Sequence, residues 1–187
     1  GQSNLLNYMR IIRGTYKGHR LTAPKSIKAR PTTDFAKEGL FNILENKIDI
    51  VDASVLDLFT GTGNLSFEFT SRGAKSSIAI DISNISVRFV NEQAKKWNLP
   101  IKAFKNNVFK FLAKPVGTFD IVFADPPYAL DGIAKIPDLV LQSTLLSKDG
   151  LLIVEHGKET DFKDHPNLVD FRNYSKVNFS FFKHLVD

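Results

Sequence analysis

The sequence predicts an α/β fold: a mostly parallel seven-stranded sheet with helices on both faces, a closing antiparallel hairpin, and a small N-terminal β-hairpin. Three observations predict it. Strand-like and helix-like runs alternate from Ser54 to Glu155, the pattern of a parallel sheet. The two strand-like runs after Leu168 have no helix between them, which fits an antiparallel closure. The first strand of the alternating region ends in Gly61-Thr62-Gly63, a sharp strand-to-helix turn.

The elements follow in order. Arg10-Ile11-Ile12-Arg13-Gly14 and Gly18-His19-Arg20-Leu21-Thr22 flank Thr15-Tyr16-Lys17 and read as a basic hairpin. Pro24 to Pro31 reads as an extended connector. Thr32 or Thr33 can cap the next helix, whose apolar stripe is Phe35, Leu40, Phe41 and Leu44. Ser54 to Phe59 is a strand, and 64–72 a helix offering Leu65, Phe67 and Phe69 for packing. Ser76 to Asp81 is a strand and 83–97 a helix; Pro100 to Lys105 is a strand and 107–114 a short helix. Phe119 to Ala124 is a strand and roughly 132–146 a helix; Leu151 to Glu155 is a strand opened by an Asp149-Gly150 turn. Leu168 to Tyr174 and Lys176 to Leu185 make the last hairpin. This divides the chain into a basic arm with its hairpin (1–30) and a main domain (31–187). Met9 is a candidate native start, and residues 1–8 carry no weight in the fold argument.

The formal charge is +5, and it is unevenly placed. Residues 1–40 hold eight Lys/Arg and two acids, +6, and the remaining 147 residues come to −1. A basic arm on a near-neutral body suits a phosphate-rich partner or a solvated face. The chain has no cysteine, which excludes disulfides, thiolate metal sites and a Cys nucleophile. Its four histidines (His19, His156, His165, His184) are scattered, so no metal is expected. No apolar run approaches a membrane span and no signal-peptide pattern precedes Met9, so the chain reads as cytoplasmic.

Asp125-Pro126-Pro127-Tyr128 follows the buried strand Phe119 to Ala124. The C-terminal end of such a strand is where ligands bind in an open α/β sheet. The prolines remove two backbone donors. Their carbonyls, the Asp125 carboxylate and the Tyr128 ring are expected to face a crevice. That set is rich in acceptors, with an aromatic wall. It suits a planar base with an exocyclic amino group and not a phosphate.

Gly61-Thr62-Gly63 lacks the third glycine of a dinucleotide fingerprint, since residue 66 is Ser66, and it lacks the Gly-Lys-Ser/Thr of a P-loop. Asp57 and Asp81 stand near the ends of adjacent strands, where a carboxylate can accept ribose hydroxyls. Asn107 follows the third strand, where an amide can meet an adenine edge. A ribose, no pyrophosphate cradle and tolerance for carboxylates together point to S-adenosylmethionine, whose ammonium and sulfonium are cationic.

With these motifs in place the chain resembles a class I, S-adenosylmethionine-dependent amino-group methyltransferase of Rossmann-like fold. Arg10-Ile11-Ile12-Arg13-Gly14, Gly18-His19-Arg20-Leu21 and Arg30-Pro31-Thr32-Thr33-Asp34, followed by Glu38-Gly39-Leu40-Phe41-Asn42-Ile43-Leu44, resemble the bacterial RsmD family. Members methylate N2 of a guanine in 16S ribosomal RNA. The resemblance implies a cofactor set of Asp57, Phe59, Thr60, Gly61, Gly63, Asp81, Ile82, Asn107 and Val108. It implies base contacts from Asp125, Pro126, Pro127 and Tyr128. It implies RNA contacts from Arg10, Arg13, Lys17, Arg20, Arg30, Thr32 and Thr33, with 16S ribosomal RNA in the small subunit as partner, no membrane, no metal and a monomer. One departure is visible: members usually carry Tyr-Gly before the last strand, where this chain has Lys176-Val177-Asn178 after Tyr174.

Three other readings stay open on the residues. The same tetrapeptide serves adenine-N6 DNA methyltransferases, which usually add a large target-recognition domain. Protein-glutamine methyltransferases usually begin the motif with Asn, where this chain has Asp125. A non-catalytic RNA-binding module with a vestigial cofactor groove would not need Asp125.

Overall fold

The computed structural model describes residues 8–27 and 32–186. Strands β1 (Tyr8–Arg10) and β2 (Arg20–Thr22) pair antiparallel with Met9 opposite Leu21, as the hairpin expectation required. Helix α1 (Asp34–Lys47) starts at Thr33, whose Oγ1 accepts the Ala36 N–H at 3.1 Å, with Asp34 in the first turn favouring the helix dipole. The α/β body then runs β3 (Ser54–Leu58), α2 (Asn64–Ser71), β4 (Ser76–Asp81), α3 (Asn84–Lys96), β5 (Ile101–Lys105), α4 (Val108–Ala113) and β6 (Phe119–Ala124). A 3₁₀ turn (Ile133–Lys135), α5 (Ile136–Leu141), β7 (Leu146–His156), β8 (Leu168–Tyr174) and β9 (Val177–Phe182) complete it.

The strand order is β5-β4-β3-β6-β7-β9-β8. Strands β3 to β7 are parallel, and β9 joins β7 and β8 antiparallel. This is the mostly parallel seven-stranded sheet with an antiparallel closure that the sequence predicts. The chain leaves β3 in one direction to β4 and β5, and returns to β6 on the other side of β3. The switch point between β3 and β6 is where such a sheet opens a crevice.

Side-chain alternation sorts the core onto the two faces. Leu56, Val122 and Leu152 pack on one face with Val108, Leu112, Ile136 and Val140. Val55, Ile121, Phe123 and Ile153 pack on the other with Leu40, Phe41, Leu44 and Phe69. The hairpin is not a free arm: Met9, Ile11 and Leu21 share a third cluster with Phe67, Val90 and Ala94 of α2 and α3.

Several expectations need correction. Phe35 is 69% exposed and meets Tyr174 edge-on at 5.6 Å instead of joining the buried stripe of α1. The Pro24–Pro31 connector is not extended throughout: the Ile27 N–H turns back to the Pro24 carbonyl at 3.1 Å, while residues 28–31 lie outside the described residues. The helix expected over 132–146 ends at Leu141. There the Ser143 hydroxyl donates to the Val140 carbonyl at 2.7 Å and accepts the Leu145 N–H, so a side chain takes over the backbone's helical partners. Strand β7 starts earlier than expected, because the Asp149-Gly150 turn is a bulge within it: Phe119 pairs with Leu146, and the next pair is Ile121 with Leu151. A Cβ at Gly150 would come within 2.9 Å of the Asp120 carbonyl, so this bulge needs glycine.

The departure before the last strand is absorbed locally. Ser175 takes the turn at φ 60, and the Asn173 amide donates to the Ser175 carbonyl at 2.9 Å and to Asn178 Oδ1 at 2.7 Å. The Tyr174 ring lies over Gly39 of α1, where a Cβ would collide with it.

Candidate active site

Register brings the strand ends level. Leu58 on β3 pairs with Ile80 on β4 and with Ala124 on β6. Phe59, Asp81 and Asp125 therefore follow at one edge. Asn107 joins them just beyond β5, whose Lys105 pairs with Asp81. A cavity of about 680 Å³ opens along this edge, a size suited to a small-molecule ligand.

The turn after β3 is tightly bent. Phe59 has φ 61, uncommon for a bulky residue, and Gly61 and Gly63 have φ 58 and 82. The Gly63 N–H closes the turn on the Thr60 carbonyl at 2.8 Å. Gly63 also starts α2, where a Cβ would press on Phe67 at 2.8 Å and Val90 at 2.9 Å. It therefore shapes the turn and lies outside the cavity lining, unlike its expected partners Asp57, Phe59, Thr60, Gly61, Asp81, Ile82, Asn107 and Val108, which all line it.

The acids are held differently. Asp57 is 2% exposed, and its Oδ2 accepts the Ser66 hydroxyl at 2.6 Å and the Thr60 hydroxyl at 2.7 Å. Ser66, the residue that breaks the glycine fingerprint, is thus a partner of Asp57. Burial pushes the Asp57 carboxyl up to about 6; Ser66 and Thr60 oppose the rise and Asp81 adds to it. Asp81 is half-buried. Its Oδ2 accepts the Gly61 N–H and its Oδ1 the Ser83 N–H, both at 2.9 Å, which aims the carboxylate and leaves lone pairs for hydroxyl donors. Asn107 caps α4, its Oδ1 accepting the Lys110 N–H at 3.1 Å.

The tetrapeptide closes one wall. The Asp125 N–H reaches the Leu58 carbonyl at 3.3 Å, which ties β6 to β3 at the switch point. Asp125, Pro127 and Tyr128 line the cavity, while Pro126 is buried and is not among the lining residues. The Pro127 carbonyl does not face the crevice as an open acceptor, because it takes the Leu130 N–H at 2.9 Å in a turn. The Tyr128 hydroxyl donates to Glu155 Oε2 at 3.3 Å, and its ring borders Gly157, where a Cβ would come within 2.8 Å.

Of the expected RNA contacts, Thr32 lines the cavity and Thr33 is the cap of α1. Arg10 pairs with Asp34 at 2.9 Å on the surface. Arg13, Lys17 and Arg20 are exposed on the hairpin, and Arg30 lies outside the described residues. Lys37, counted in the basic arm, is buried and bonded to Glu68. Sequence reasoning missed Met9, Ser26 and Ile27, which carry the hairpin and its connector into the cavity wall. The Thr62 hydroxyl donates to Met9 Sδ at 2.9 Å, joining the glycine turn to β1. Nothing in these residue types announces a ligand.

What this arrangement can do is limited by its groups. A row of carboxylates accepts hydroxyls and tolerates cations, and one more carboxylate beside an aromatic ring accepts amino N–H groups. Among the described residues, no group of three His, Cys, Asp or Glu could hold a metal ion, and no helix is long and apolar enough to cross a membrane.

The family model described as "Conserved hypothetical protein 95" matches residues 9–183. The ribosomal RNA small subunit methyltransferase D of Escherichia coli K12 is 34% identical over 163 residues, 84% of this chain and 79% of that one. Its namesake in Buchnera aphidicola from Baizongia pistaciae is 31% identical over 148 residues, 79% and 75% of the two chains. Among solved structures, the yhhF protein of Escherichia coli superposes with a TM-score of 0.84 at 28% identity, covering 96% of this chain and 99% of its own.

Proposed function

The chain belongs to the RsmD family, and on that premise we propose that it transfers a methyl group from S-adenosylmethionine to the exocyclic N2 of a guanine in 16S ribosomal RNA. The observation that carries this is the position of Asp125. It follows the last residue of β6 at the switch point, and it shares one cavity with Asp57, Asp81 and Asn107. The relatives named for methylation of small-subunit ribosomal RNA support the RNA acceptor.

The residues present fit the cofactor. Two carboxylates, one buried and one aimed by backbone N–H groups, suit a ligand that is both cationic and a ribonucleoside. Asp81 would hold the ribose hydroxyls, and Asn107 with Val108 the adenine. Asp57, Phe59 and Gly61 would border the methionine part. When bound, the cofactor supplies an electrophilic methyl group on a positively charged sulfur.

The chain's own groups prepare the acceptor. Guanine N2 is conjugated into its ring, so its lone pair is a poor nucleophile. The Asp125 carboxylate, which lines the cavity, accepts an N–H of that amino group. That draws the nitrogen toward a tetrahedral shape and frees the lone pair toward the cavity, and the N–H proton lost on methylation passes through the Asp125 carboxylate to solvent. Tyr128 stacks on the base, which must leave its own stack to enter. Glu155 and Gly157 hold that ring in place from one side. Positioning supplies most of the acceleration. Exposed Arg13, Lys17 and Arg20 on the hairpin supply phosphate contacts.

The test is methylation of total bacterial RNA with labelled cofactor, followed by nucleoside analysis. Label in N2-methylguanosine is expected. Label in N6-methyladenosine, or in protein and not RNA, would replace this reading with another acceptor.

A further inference from the structure

The hairpin tip is fixed to the body at a place remote from the cavity. Tyr16 stacks on Trp97, the rings 5.5 Å apart and 20° from parallel, and its hydroxyl donates to the Trp97 carbonyl. His19 meets Tyr16 and Trp97 edge-on at 5.0 and 5.6 Å. The Tyr16 N–H donates to Ser71 Oγ at 3.0 Å, and that hydroxyl donates to the Arg13 carbonyl at 2.7 Å. Gly14, at φ 88, brings the tip so close to α2 that a Cβ would collide with the Ser71 carbonyl. The tip is therefore seated on the C-terminal ends of α2 and α3.

Seating it there puts basic residues from two distant stretches of sequence on neighbouring elements. Arg13 and Lys17 come from the tip, and Lys95 and Lys96 from the last turn of α3, which Trp97 caps. All four are exposed, and none enters an ion pair among the described residues. Glu92, one turn earlier on the same helix, pairs with neither lysine. The two lysines also complement the helix dipole, which explains their place at a C-terminus but not their conjunction with the tip. Glu38 lines a surface pocket with Arg13 and Lys17 without an ion pair to either, so the face is net positive; a net positive face beside stacked aromatic rings fits a phosphate backbone.

We propose that the hairpin tip and the last turn of α3 form one composite RNA-docking face, in which Lys95 and Lys96 contact phosphates together with Arg13 and Lys17. This rests on the RNA reading above. The N-terminal residues Ser83 and Ser86 at the other end of α3 line the cavity. At about 1.5 Å per residue the helix places Lys95 and Lys96 roughly 15 Å beyond Ser86. The face therefore grips RNA outside the methylated nucleotide, and it selects a folded substrate over a short oligonucleotide.

The test compares the full chain with Lys95→Ala/Lys96→Ala and a control, Lys114→Ala/Lys148→Ala, which removes equal charge near the starts of β6 and β7. Affinity for a 16S ribosomal RNA fragment would be measured across salt concentrations, alongside methyl-transfer kinetics and cofactor affinity. The proposal expects the α3 variant to bind RNA severalfold more weakly, with the log–log salt slope shallower by about 1.5 for two lost phosphate contacts. KM for RNA rises, while kcat and cofactor affinity stay put, and the control behaves as wild type. An unchanged slope and KM in the α3 variant, or an equal change in the control, would overturn the composite face. A change seen only with the assembled ribosomal subunit would point to a protein contact and overturn it as well. If the wild-type chain itself neither binds nor methylates RNA, the failure belongs to the proposed function.

Discussion

Lys37 on α1 and Glu68 on α2 meet at 2.9 Å, with side chains 1% and 0% exposed. Glu68 also accepts the Ile12 N–H at 2.9 Å, the Arg13 N–H at 3.1 Å and Arg72 Nε at 2.8 Å. Lys37 donates in addition to the Arg10 carbonyl at 3.0 Å and to Asn64 Oδ1 at 2.7 Å. One buried pair thus joins both helices to the backbone of the hairpin, and so holds Met9 against the cavity.

Removing Glu68 strands a buried ammonium, so Glu68→Ala should cost about 3–5 kcal/mol in urea unfolding. Lys37→Met/Glu68→Leu should recover part of this, because no charge remains buried. The Ile12 and Arg13 N–H groups still lose their acceptor, so recovery is incomplete. A single mutant as stable as wild type would mean that the pair contributes nothing.

The same pair sets an acid limb. Burial pushes the Glu68 carboxyl up, but Lys37, the Ile12 N–H and Arg72 outweigh it and hold it below its ordinary 4.5. A depressed carboxyl stabilises the fold fully above its unfolded pKa, and this is lost as pH falls through the lower folded value. Stability should therefore drop below about pH 4.5, and Glu68→Gln should flatten that limb. An identical acid profile in the variant would place the sensitivity elsewhere.

Asp57 predicts a pH dependence for binding, in the same direction but at higher pH. Its carboxyl sits at about 6 without ligand, and a cationic cofactor favours the ionised form. S-adenosylmethionine should bind more weakly as pH falls through about 6, with a proton released on binding near that pH. Titration calorimetry in buffers of different ionisation enthalpy reads the proton directly. Asp57→Asn should abolish the dependence; if it persists, another group carries it.

Asp81→Ala should weaken cofactor binding roughly ten- to a hundredfold, the worth of charged hydrogen bonds of about 1.5–3 kcal/mol. The variant also frees the Gly61 and Ser83 N–H groups, so the glycine turn loosens in the same step. Unchanged affinity would show that the carboxylate serves only the turn.

The sheet was legible because its strands are short, apolar and bounded by turn residues, and because each chemical motif sits at a strand end. Asp57, Asp81, Asn107 and Asp125 came together from spacing alone, since parallel strands must place their C-terminal ends at one edge. What stayed hidden depends on long-range packing. Lys37 reads as one more basic residue until Glu68 faces it across two helices. Phe35 lies about 100° round the helix from Ala36, so it falls beside the buried Ala36–Leu40–Leu44 stripe and not on it. Met9, Ser26 and Ile27 carry no chemical label, so only the docked hairpin makes them cavity wall. Ser143 stops α5 with a hydroxyl, a local competition that apolar periodicity does not register.

The proposed methyl transfer depends on Asp125 acting on the base amino group and not on the cofactor. The direct measurement is single-turnover methyl transfer by Asp125→Ala, paired with calorimetric cofactor affinity of the same preparation. The predicted result is a rate loss on the order of 10²–10³ or more, typical of removing a group aimed at developing charge, with cofactor affinity nearly unchanged. A wild-type rate in the variant, or a loss traced wholly to weaker cofactor binding, would contradict that role for Asp125.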